Sequence, residues 1–102
     1  MRIVLSDHAA LRWRQRAAEL QVQNGEEYLT ERWGAGDQEV ICAKRGAWRI
    51  GAVVVCLARE GDRLLATTVL GLADGRGNEW LTNPRFLAWH AHQRQLRIGR
   101  VR

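Results

Sequence analysis

The chain has 102 residues, an apolar share of 46% and a net charge of +5 from 16 basic and 11 acidic residues. This length fits one compact domain with its own core, and the composition excludes a broadly disordered chain. No run approaches the roughly 20 apolar residues that span a bilayer and no apolar signal core follows Met1, so a cytoplasmic protein with no membrane partner is expected.

Arg2-Ile3-Val4-Leu5 reads as a short strand. Ser6 or Asp7 caps the helix that follows, which is expected to run to about Val22 and stop near Asn24-Gly25. A second helix covers Glu26 to Trp33, with Glu26 and Glu27 in the first turn, where the helix dipole favours acids. One long helix broken near Asn24-Gly25 fits the same letters. Gly34-Ala35-Gly36-Asp37 ends the helical region, and Glu39 to Ala43 is a strand followed by a Lys44-Arg45-Gly46 turn. Trp48 to Ala58 contains the most apolar run, Ala52 to Leu57, whose continuity predicts a central strand covered on both faces. Glu60-Gly61-Asp62 connects it to a returning strand, Leu64 to Leu70, as an antiparallel hairpin.

Gly71 to Asn78 is a glycine-rich loop without the ending of a phosphate loop. Thr82-Asn83-Pro84 opens a last helix reaching about Leu96, with Phe86, Trp89 and Leu96 near one face. The expectation is an α+β fold over a single domain, 1–102: a small antiparallel sheet of three to four strands packed against N-terminal and C-terminal helices. Residues 98–102 are expected to form a flexible basic tail. Cys42 and Cys56 lack the number and spacing of a disulfide or zinc framework and read as small core residues.

Charge is unevenly placed. Residues 1–20 carry +2, 21–40 carry −4, 41–60 carry +3, 61–80 carry −1 and 81–102 carry +5. Fifteen of the basic residues are Arg and only Lys44 is Lys. Arg's planar fork suits phosphate, although a genome rich in Arg codons gives the same ratio. The acidic middle permits a homodimer in which it meets the basic C-terminus of a second copy; the same segments can also pair within one chain.

The sharpest pattern is His8, Arg12 and Arg16, successive i,i+4 neighbours on the first helix. Ala9, Trp13, Ala17 and Leu20 share a different face, so the helix can pack through Trp13 while presenting the charged group. An imidazole at a helix start followed by two guanidiniums can cradle a phosphodiester. In RNA cleavage His8 would act as acid or base and the arginines would stabilise charge on the phosphorane. A His8 that caps or packs at the helix start, with Arg12 and Arg16 solvated or paired to Glu19, gives the same letters. Arg14, Arg49, Arg94, Arg97 and Arg100 are further candidates for nucleic-acid contact.

The stretch Leu5-Ser6-Asp7-His8-Ala9 with Arg12 and Arg16 resembles small phage and mobile-element proteins that open with a short strand, His-Ala and arginines at four-residue spacing. These look related to RelE/ParE-like toxins and the wider barnase, EndoU, colicin and RelE group of small RNases. Ala52 to Cys56 and Thr67-Thr68-Val69-Leu70 stand where the paired central strands of that group would lie. The resemblance implies a metal-independent, toxin-like endoribonuclease with no cofactor and an acidic neutralising partner. Such enzymes also place functional groups on central strands, for which Trp48, Arg49 and Thr68 are the available residues. Residues 78–102 match nothing in that pattern.

Non-catalytic readings stay open: a nucleic-acid binder using the basic ends, or a phage or mobile-element protein that inhibits a host protein. Of the five tryptophans, Trp13 and Trp89 fall on packing faces and Trp48 on the sheet edge. Trp33 and Trp80 border glycine-containing loops, where a ring can stack a base or anchor an interface. His90 and His92, two apart, do not share a helix face, and they form no metal-ligand spacing with the cysteines.

Overall fold

The computed structural model describes residues 1–74. The chain runs β1 (Ile3–Leu5), α1 (Asp7–Arg16), a 3-10 turn (Ala18–Leu20), α2 (Gly25–Gly34), β2 (Gln38–Cys42), a second 3-10 turn (Ala43–Arg45), β3 (Ala47–Ile50), β4 (Val53–Glu60) and β5 (Arg63–Leu72). The fold is α+β, as expected, but among the described residues the sheet has five strands in the order β1-β5-β4-β3-β2. It is mixed rather than antiparallel: β1 lies parallel to β5, and every other neighbouring pair is antiparallel. The expected C-terminal helix and basic tail lie outside the described residues.

The extra strand comes from the 48–58 run, which is two strands. Ile50 pairs with Val53, and Gly51, at φ 56°, makes the turn with Ala52. Both Ile50 and Val53 are fully buried, so the letters stay apolar straight through the turn. The Ala52 N–H donates to the Tyr28 hydroxyl at 2.9 Å, which fixes the turn against α2.

The first helix is shorter than its letters suggest. It ends at Arg16, and Gln21 adopts a left-handed φ of 54° after the 3-10 turn. A helix continued to Val22 would carry the chain about 14 Å past Trp13 along the axis. The chain instead doubles back so that Gly25 lies against the Trp13 indole, where a Cβ would come within 2.9 Å of the ring. The Asn24 side chain then caps α2 by accepting from the Glu27 N–H.

Both helices cover one face of the sheet. Ala9, Trp13 and Leu29 pack there with Ile3, Ile50, Val53, Val55, Ala66, Val69 and Leu72. A second cluster, around Ala47 and Val54 with Ile41, Cys42, Cys56 and Leu70, lies on the opposite face. Alternate residues of β4 therefore serve two clusters, which is why its apolar run is unbroken.

α2 also closes one edge of the sheet. The Ile3 N–H donates to the Thr30 hydroxyl at 3.0 Å, which in turn donates to the Ile3 carbonyl at 3.3 Å. The Leu5 N–H donates to Glu26 Oε2 at 2.7 Å. The outward backbone of an edge strand is thus satisfied by side chains. Among the described residues, no helix is long and apolar enough to cross a membrane.

Candidate functional site: the basic flank of helix α1

Helix α1 is clamped to β5 at both ends. Ser6 occupies the N-cap, and its hydroxyl accepts from the Ala9 N–H at 3.0 Å while donating to the Thr67 carbonyl at 3.1 Å. The Ser6 N–H donates to the Ala66 carbonyl at 3.0 Å. At the other end, Arg16 Nη1 donates to the Val69 carbonyl at 2.9 Å. These anchors fall in an irregular stretch of β5. Leu57 pairs with Ala66 and Cys56 with Thr68, so Thr67 is an extra, exposed residue with no opposite number. Such a bulge turns its carbonyl out of the ladder, here toward Ser6, and its own hydroxyl donates to the Cys56 carbonyl at 3.4 Å.

The clamp divides the three-residue ladder. Arg16 is half-buried and serves the contact between helix and sheet. Arg12, one turn earlier, is half-buried and donates from Nη1 to Gln15 Oε1 at 2.8 Å. Its Nε is enclosed, with no hydrogen-bond partner among the described residues. No described carboxylate pairs with Arg12 within salt-bridge distance. His8 is exposed in the first turn, and none of the described residues bonds to its imidazole. The helix therefore presents His8 and Arg12 on a solvent-facing flank while Ala9 and Trp13 are buried behind them.

The other expected contact residues separate. Arg14 is exposed on the opposite flank of α1, beside a cleft that also contains Trp13 and Glu26. Arg49 sits in β3, far along the sheet order from α1, and is engaged: Nη1 donates to Asp37 Oδ1 at 2.9 Å and to the Gly51 carbonyl at 2.8 Å, and Nε lies 3.5 Å from Glu39 Oε1. Arg32 adds a looser contact to Asp37 at 3.9 Å. This cluster ties the β2–β3 edge together. Thr68 pairs with Cys56 on the sheet face opposite α1, and Trp48 meets Trp33 edge-on at 5.0 Å on the helix-covered face. Neither joins the His8–Arg12 flank. Arg94, Arg97, Arg100, Trp80, Trp89, His90 and His92 lie outside the described residues.

Two participants were not singled out from the letters. Gln15 orients Arg12, a relation that its i,i+3 spacing permits. Thr67 is placed beside the α1 N-cap only by the bulge, which has no signature in a Thr-Thr dipeptide.

Comparison of the chain with protein-family models, with curated proteins and with solved structures returned no match.

Proposed function

We propose that the chain is an RNA-directed protein of toxin-like type that acts at the phosphodiester backbone through His8 and Arg12. Arg16 serves it by holding the helix that carries them. The observation behind this reading is the split in the ladder: one arginine is spent on the sheet, while the imidazole and the other guanidinium share a flank without a described carboxylate to neutralise them. In the proposed reaction His8 takes the proton of the ribose 2′-hydroxyl, and the 2′-oxygen attacks phosphorus. The 5′-oxygen leaves and takes a proton from water, His8 returns its proton to solvent, and a 2′,3′-cyclic phosphate remains. Arg12 stabilises the charge that builds on the non-bridging oxygens. No metal is required by this chemistry.

A second reading, a nucleic-acid binder without cleavage, is favoured by one observation: no described side chain orients the His8 imidazole, whereas a general base is ordinarily held by a further group. The two readings separate in an assay on end-labelled single-stranded and structured RNA in EDTA. Cleavage leaving cyclic-phosphate ends, reduced at least tenfold by Arg12→Ala, supports the enzyme. Salt-sensitive binding without cleavage supports the binder. Neither cleavage nor binding removes RNA as the target and leaves a host protein.

A further inference from the structure

The second flank of α1 borders a feature that the proposed reaction does not use. A cleft of about 630 Å³ opens between α1 and the segment leading into α2. That is within the size range of small-molecule sites. Leu5, Trp13 and Val22 contribute apolar surface, while Arg14, Gln23, Asn24 and Glu26 contribute polar side chains.

The walls are held in place. Gly25 packs against the Trp13 indole, and Trp13 meets Tyr28 edge-on at 6.0 Å. Glu26 Oε2 is occupied by the Leu5 N–H, and Oε1 is left as an acceptor with no hydrogen bond to the described residues. Arg14 is exposed and forms no ion pair with a described carboxylate. The cleft therefore combines an apolar surface with one guanidinium and one carboxylate, which no described ion pair joins.

We propose that this cleft is a nucleotide subsite of the same RNA surface, with a base against the apolar wall, an exocyclic amino group toward Glu26 and the attached phosphate on Arg14. The inference rests on the RNA reading above. The combination of charges separates a nucleotide from simpler ligands: an aliphatic anion leaves the carboxylate unmatched, and a free base leaves the guanidinium unmatched. Position supports it as well. Arg14 lies on one flank of α1 and His8 with Arg12 on the other, with Leu11, 49% exposed, on the helix surface between them. A single strand crossing α1 meets both, so the cleft holds a nucleotide next to the one being acted on.

Calorimetry with adenosine 5′-monophosphate, adenosine and ribose 5-phosphate tests this on the whole chain. The parent is expected to bind the nucleotide more tightly than either fragment. Arg14→Ala should weaken nucleotide binding at least fivefold and adenosine binding by less than twofold. Ala18→Trp, which fills the cleft from an exposed position, should abolish both with an unchanged circular dichroism spectrum. Nucleotide binding that is unaltered in both variants overturns the subsite. So does a parent that binds RNA but not the mononucleotide, and that result leaves the RNA reading standing. A parent that binds neither RNA nor nucleotide overturns both.

Discussion

Arg16 Nη1 reaches the Val69 carbonyl at 2.9 Å, joining the last turn of α1 to the strand beneath it. A hydrogen bond from a charged donor contributes about 1.5–3 kcal/mol, and partial exposure places this one toward the lower end. Arg16→Ala should therefore lower unfolding free energy in urea by about 1–2 kcal/mol. Arg12→Ala removes a group that, among the described residues, bonds only to Gln15, and should change stability by less than about 0.5 kcal/mol. Equal losses in the two variants would remove the distinction between strut and site.

Glu26 and Thr30 shield the outer backbone of β1. Glu26→Ala leaves the Leu5 N–H without its acceptor and should cost about 1–3 kcal/mol. Combining it with Thr30→Val bares the edge further, and the double variant should self-associate more than either single one in sedimentation velocity. Glu26→Gln keeps a carbonyl acceptor and should lose less.

Gly25 and Gly34, both in α2, should respond oppositely to alanine. At Gly25 the new methyl meets the Trp13 ring at 2.9 Å and should destabilise by about 1–3 kcal/mol through overpacking. At Gly34 nothing lies within 4 Å, so the better helix former should stabilise by up to about 1 kcal/mol. Thermal melts of the two variants check the closeness of α2 to Trp13.

Burial pushes the Cys56 thiol above its ordinary value of 9.0; nearby Arg45 pulls it down by less, and Cys42 adds to the rise. A raised folded-state value means that the unfolded thiol ionises first. The stability it contributes is complete below the unfolded value and is lost as pH rises through the folded one. Stability should therefore decline above about pH 9, and Cys56→Ala should flatten that decline. At pH 8 Cys56 should alkylate more slowly than an unstructured thiol.

The elements were legible where local chemistry decides them. Ser6 at the helix start, the acids opening α2 and the Glu60-Gly61-Asp62 hairpin all rest on interactions within a few residues. The ion pair from Arg63 to Glu60 closes that same hairpin. What the letters withheld depends on distant partners. A three-residue strand, Ile3–Leu5, cannot announce a parallel neighbour some sixty residues on. The turn at Gly51 hides inside an apolar run because its flanking residues enter the core. The ladder of His8, Arg12 and Arg16 was readable as one helix face, but its division was not. Which arginine meets the sheet depends on where β5 bulges and on how α1 tilts across it.

The most direct measurement is cleavage of single-stranded RNA in EDTA by highly purified parent protein and by His8→Ala prepared identically. His8 is exposed and bonded to no described residue, so the variant should fold with an unchanged melting temperature. Cleavage by the parent that falls at least 100-fold in the variant is the expected result and makes the His8–Arg12 flank the reactive one. Equal cleavage by both, or none by the parent, would contradict a catalytic His8.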